Sequence, residues 1–179
     1  MSVFTASGFL TPEQADAYSN ALLGLLGNED PIAVLAATPA ALRQALGQFP
    51  AADLRTPEAP GKWSAAMVFS HLADAELVTS FRLRMILAHD RPTLTPYDQD
   101  LWASGLHYDR VAPAENIERF SVLRRSNLVL WAAATPEELS RVGIHGERGE
   151  ESVDRQRRLL AGHDRLHLNQ LGRIRGAVG

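Results

Sequence analysis

The chain has 179 residues, a formal net charge of −3 and no cysteine. Without thiols there are no disulfides, no thiolate metal site and no cysteine nucleophile, and the mildly acidic balance offers no basic field for nucleic acid. With 45% apolar residues the composition is that of a globular protein, no apolar run approaches the ~20 residues of a membrane span, and the start, MSVFTASGFLTPEQ, lacks the basic and apolar regions of a secretory leader.

These bounds point to a cytoplasmic protein of one domain over residues 1–179, since a domain takes roughly 100–200 residues. The first helical signal is Thr11-Pro12-Glu13-Gln14. Thr11 can cap, Pro12 suits the first helical position and Gln14 completes a capping box. Leu22, Leu23, Leu25 and Leu26 follow, then a segment through Ile32, Val34 and Leu35. Thr38-Pro39 is expected to restart a helix that carries Leu42, Ala45, Leu46 and Phe49, because a proline interrupts the helical ladder. The N-terminal third therefore predicts one or two broken helices, its first ~30 residues an extension to the main body.

The next helix is plainer. Ser64 is an N-cap residue, Trp63 before it can act as a hydrophobic staple, and Val68, His71, Ala75 and Val78 recur at helical spacing as far as Met85 and Ile86. Residues 92–112 show no sustained period and predict a long connection, a length of loop that often carries function. A third long helix starts near Pro113, with Ile117, Phe120, Leu123, Asn127, Leu130 and Trp131 as its stripe. Thr135 and Glu138 form a capping box for one short turn, and Gly143 to Gly149 predicts a glycine-rich turn. The last helix runs from about Ser152 to Arg175, with Val153, Leu160, Leu171 and Ile174 in its apolar stripe. No segment alternates like a strand, so the fold class is all-α, a four-helix bundle.

Three histidines stand out. His163 and His167 are four residues apart and share one helix face, in slots where that helix otherwise places Leu or Ile. His71 sits in line with Val68, Ala75 and Val78. Histidines on inward stripes must have both ring nitrogens satisfied. Three of them can give three nitrogens to one divalent ion, and three protein ligands with open positions mark a catalytic rather than a structural metal site. The alternative is a set of buried, hydrogen-bonded core histidines.

Residues 60–76, PGKWSAAMVFSHLADAE, resemble the second-helix signature of the DinB-like family. Pro96-Tyr97-Asp98 followed by Trp102-Ala103 resembles its YfiT-type branch, and His145-Gly146 and Gly149 precede the last helix as in relatives. The similarity covers about residues 30–176. It implies a bundle of up-down-down-up type with a histidine triad between helices, His71 as first ligand, His163 as second and His167 as third, holding nickel or zinc. It further implies a homodimer, a small-molecule substrate, and either hydrolysis or transfer of a low-molecular-weight thiol such as bacillithiol or mycothiol. One departure is Leu166 before His167, where several relatives pair two histidines. A non-catalytic metal-stabilised bundle or a dimerisation module is the alternative. No catalytic residue follows from the sequence.

Other polar residues read more plainly. Asp74, Glu76, Asp98 and Asp164 lie near the ligands in sequence and can orient an imidazole or act as a base on water, but each alone reads as a solvated helix-face carboxylate. Asp164 is turned about 100° from His163 on an ideal helix. His145 reads as a surface turn residue that can reach the pocket mouth; His89 and His107 carry no pattern. Tyr97 and Trp102 either cover the pocket or pin their loop. Arg155, Arg157, Arg158, Arg165, Arg173 and Arg175 read as a solvated face, with an anionic cosubstrate as the other use.

Overall fold

The structure is a computed structural model and describes residues 10–179. The absence of a leader expected at the extreme start concerns residues 1–9, which lie outside the described residues. Seven helices, α1 (Pro12–Leu26), α2 (Pro31–Leu46), α3 (Ala65–Ala88), α4 (Gln99–Gly105), α5 (Pro113–Ala133), α6 (Pro136–Ser140) and α7 (Val153–Val178), follow one another among the described residues. The capping boxes at Thr11 and Thr135 form as expected, with both reciprocal hydrogen bonds in place. Ser152 caps α7 through the Arg155 amide, whereas the Ser64 side chain makes no capping bond. No described helix is long and apolar enough to cross a membrane.

Helices α2, α3, α5 and α7 form the bundle, and its core is in two apolar halves. One half gathers Leu42, Val68, Phe69, Leu72, Ile117, Phe120, Leu171 and Ile174. The other gathers Val34, Leu35, Leu83, Ile86, Trp131, Val153 and Leu160. Chain order through the two halves gives the directions. Helices α3 and α5 run from the first half to the second, and α2 and α7 run from the second to the first. The bundle is therefore up-down-down-up, with parallel pairs that need long connections. Helix α1 lies outside the four and packs on α7. A Cβ on Gly162 would come within 2.1 Å of the Leu22 carbonyl oxygen, so the absent side chain is what lets α1 lie directly on α7.

Between the apolar halves runs a polar layer centred on Arg124, which is fully buried. Its guanidinium donates to Asp164 Oδ2 on α7 at 2.6 Å, to Glu76 Oε2 on α3 at 2.8 Å and to the Leu35 carbonyl on α2 at 2.9 Å. Asn127 donates to Glu76 Oε1 at 2.8 Å and to Ser80 Oγ at 2.7 Å. The Thr38 hydroxyl lies 2.7 Å from Asp164 Oδ2, and Arg124 stacks 4.5 Å above the Phe120 ring. Burial alone would lower the Arg124 pKa, but the charges of Asp164 and Glu76 outweigh it and raise the value. Glu76 and Asp164 are buried ion-pair partners, not the solvated carboxylates that their positions predicted.

The same layer explains why Pro39 does not restart a helix. Helix α2 runs unbroken from Pro31 to Leu46 with Pro39 inside it. Pro39 has no N–H to give to the carbonyl four residues back, at Leu35, and Arg124 answers that carbonyl instead. The stretch 92–112 is also more ordered than expected, since it contains α4 and a short strand, β1 (Thr93–Leu94). Strand β1 pairs in parallel with β2 (Val142–His145), which pairs antiparallel with β3 (Gly149–Ser152). The predicted glycine-rich turn is thus a hairpin, too short for an alternating pattern to be visible, closed by Gly149 at φ 68°.

Arg124→Met should cost about 3–5 kcal/mol in urea unfolding, because it leaves two buried carboxylates unpaired. In a double-mutant cycle, Pro39→Ala should recover on the order of 1 kcal/mol of that loss, since the new N–H can bond the Leu35 carbonyl. Additive effects would show that Arg124 does not serve that carbonyl.

Candidate metal centre

His71 on α3 and His163 and His167 on α7 meet as the sequence predicted. The Nε2 atoms of His71 and His163 are 3.1 Å apart, as are those of His167 and His163, and the three ligand atoms lie within 4.8 Å of one another. Nitrogens on one ion are separated by about 3.3 Å in tetrahedral zinc geometry and about 3.0 Å in an octahedron. The observed spacing fits a divalent ion. It does not suit three neutral imidazoles hydrogen-bonding only one another, because each has a single N–H to give.

The His167 tautomer points the same way. Gln170 Oε1 lies 2.7 Å from His167 Nδ1 and accepts its proton, leaving Nε2 bare. His71 Nδ1 and His163 Nδ1 are buried without a partner. The Trp63 ring packs against His71 at 5.1 Å between centroids and so braces that imidazole. Burial first, then the neighbouring histidines, pushes the pKa values of His71 and His163 well below 6.5; burial takes His167 down to about 4. Neutral imidazole is the ligating form.

None of the four nearby carboxylates orients a ligand. Asp74 accepts from the Tyr108 hydroxyl at 2.7 Å and pairs with Arg119 at 3.0 Å. Glu76 and Asp164 hold Arg124, and Asp98 caps α4 through the amides of Asp100 and Leu101. Asp164 does turn away from the histidine face, as its helical angle predicted, but into the bundle centre rather than to solvent.

The triad forms one end of a cavity of about 180 Å³. Its walls include Tyr18, Ser19 and Leu22 of α1, Ala75, Val78 and Arg82 of α3, and Gln156, Leu159 and Leu160 of α7. Tyr97 lines it too, with Trp102 behind at 4.4 Å between ring centroids, so one aromatic covers the pocket and the other pins the loop. His145 is buried, not a surface residue. Its Nδ1 accepts from the amides of Glu147 and Arg148 at 3.2 and 3.3 Å, and these two side chains reach the cavity. Burial, then Arg148 and Arg82, lowers the His145 pKa to about 3. The arginines of α7 lie elsewhere: Arg157 pairs with Asp154, Arg165 with Glu29 and Arg173 with Glu58. The cavity's cations, Arg82 and Arg148, come from other elements and had no sequence signal. Gln156 had one: it precedes His163 by seven residues on the same stripe.

The sequence pattern of the DinB superfamily matches residues 35–171. The chain belongs to the DinB superfamily. Among DinB proteins it is 24% identical over 149 residues to Bacillus subtilis YfiT, 83% of this chain and 84% of that one. It is 29% identical over 154 residues to a Geobacillus kaustophilus protein, at 83% and 84% coverage. Both carry the name "Putative metal-dependent hydrolase". The solved structure of YfiT, described as a probable metal-dependent hydrolase with an unusual four-helix bundle topology, superposes with a TM-score of 0.74. It shares 23% identity and covers 96% of this chain and 93% of its own, a likeness of DinB fold.

Depressed imidazole pKa values tie stability to pH. Above pH ~6.5 the histidines are neutral folded or unfolded, and stability is flat. As pH falls below 6.5 the unfolded chain takes up protons that the folded metal-free chain refuses, so stability drops, for His167 until about pH 4. Each such histidine adds a slope of about 1.4 kcal/mol per pH unit. His71→Met should reduce the slope of the metal-free protein between pH 6 and pH 5, measured by urea unfolding; an unchanged slope would show that His71 titrates normally.

Proposed function

We propose that the chain is a metal-dependent enzyme, in which His71, His163 and His167 hold one divalent ion, nickel or zinc, through their Nε2 atoms. The observation that carries this reading is the convergence of three histidine Nε2 atoms on the wall of a cavity large enough for a small molecule. A purely structural metal would have no use for that cavity. A divalent ion at that point supplies Lewis acidity, able to acidify a water or hold a thiol as thiolate. Three protein nitrogens would leave the ion room for a water or substrate ligand. The chain's own part is to keep the imidazoles neutral, exclude bulk water with α1 and Tyr97, and bind the substrate.

The names of the relatives favour hydrolysis. Thiol transfer, with a low-molecular-weight thiol as cosubstrate, is the second reading, and one observation favours it. The lining carboxylates are engaged, Glu151 by Arg148 at 2.7 Å and Glu147 by the Leu10 amide at 2.9 Å. Each has one oxygen engaged, and a thiol already ionised needs no general base.

About one divalent ion per chain should bind. His71→Ala, His163→Ala and His167→Ala should each lower occupancy at least tenfold, and His89→Ala should leave it unchanged, by elemental analysis after dialysis. Full occupancy in the triple variant would refute the site. Ester hydrolysis and thiol conjugation, each against His71→Ala, then separate the two reactions.

A homodimer, implied by the family resemblance, also belongs to this proposal. Apolar residues of the N-terminal third, such as Leu22, Leu35 and Leu42, face the protein's own core. Exposed apolar side chains occur instead on the adjacent α3 and α5, at Leu77, Phe81, Val122 and Val129. Light scattering should give a dimer mass that Phe81→Glu reduces to a monomer; a monomeric parent protein at high micromolar concentration would remove the dimer.

A further inference from the structure

Gln156 sits two turns before His163 on α7, about 10 Å along the helix axis at 1.5 Å per residue. It is 4% exposed and lines the same cavity. Neither its Nε2 nor its Oε1 has a hydrogen-bond partner. A buried amide with both ends unanswered costs about 1–3 kcal/mol per group, and proteins pair such groups almost without exception. Ser19 Oγ, from α1, lines the same cavity and is likewise buried and unpartnered. These are neutral groups that the cavity leaves open.

The charged groups are largely answered already. Arg148 is bound by Glu151, Glu147 by the Leu10 amide, and Arg82 by the Thr95 carbonyl, while Arg82 Nε is buried without a partner. Between Gln156 and His163 the wall is apolar, made by Leu159, Leu160, Leu22 and Val78.

We propose that Gln156, with Ser19 lining the same cavity, is a specificity-determining residue that recognises a neutral carboxamide or lactam edge on the substrate. A side-chain amide presents one donor and one acceptor in a plane. Its complement is a group with an N–H and a C=O on one edge, which closes two parallel hydrogen bonds. The ligand that fits has a metal-seeking head, an apolar stem about two helical turns long and a carboxamide tail. The stem and tail rest on the metal reading above; the amide contact itself does not need the metal.

The test uses the full chain loaded with cobalt and a series of ω-mercaptoalkanamides of increasing length, each matched by its methyl ester and its carboxylate. Affinity is read from the visible cobalt absorption, with ethanethiol as reference. At the matching length the carboxamide should bind about tenfold tighter than the ester. Gln156→Leu should abolish that preference while binding ethanethiol like the parent. Equal binding of amide and ester, a preference that survives in Gln156→Leu, or tightest binding of the carboxylate would each overturn the proposal. If no thiol perturbs the cobalt, it is the metal reading that fails, and a second measurement decides the amide contact. The Gln156 side-chain NH2 resonance of nitrogen-15-labelled protein, identified by its loss in Gln156→Leu, should shift with hexanamide and not with methyl hexanoate. No shift with hexanamide would overturn the proposal there too.

Discussion

The bundle depends on one buried guanidinium. Arg124 binds a carboxylate on α3, a carboxylate on α7 and a backbone carbonyl on α2, so a single side chain ties together all four bundle helices. Such a cluster is a poor source of net stability, because desolvating three charges cancels most of their attraction. Its effect is on register. Apolar side chains can slide past one another at small cost, but Glu76, Asp164 and the Leu35 carbonyl must each be within hydrogen-bond distance of one planar group. Fixing Glu76 and Asp164 fixes the relative height of α3 and α7, and with it the meeting of His71 and His163.

Helix α7 carries the consequence. Adjacent residues on it serve different tasks, because about 100° of rotation separates neighbours on a helix. Asp164 faces the Arg124 layer, His163 and His167 face the cavity, and Gly162 lies beneath α1. Bundle register, metal geometry and cavity roof are thus set within six residues of one helix. A shift of α7 by one position would lose all of them together. The nearby carboxylates of Asp74, Glu76 and Asp164 are held by arginines in the same packing, and none of them hydrogen-bonds an imidazole.

Much of this was legible in the sequence, and the reasons are local. Capping boxes at Thr11 and Thr135 involve residues three apart and need no tertiary information. His71, His163 and His167 were legible because a histidine in an apolar stripe is anomalous on its own helix. Arg124 was missed: the stripe read from the sequence passed through Leu123, whereas the buried face of α5 carries Arg124, whose partners lie on three other helices. The hairpin of β2 and β3 was missed because four-residue strands show too little alternation to count.

The sequence by itself determined the long helices α3, α5 and α7 and the three imidazoles in their stripes, since each follows from spacing along one segment. Only the tertiary structure decided what lies opposite what. Pro39 reads as a helix break until a guanidinium 85 positions later in the chain satisfies the carbonyl it abandons. Glu76 and Asp164 read as solvated until that same group draws them inside. Gln156 becomes a recognition element only because α1 closes over it, through a contact that a glycine at 162 permits. In each case a backbone or polar group is answered, or left unanswered, by a residue far away in sequence, and no periodicity along one segment records that.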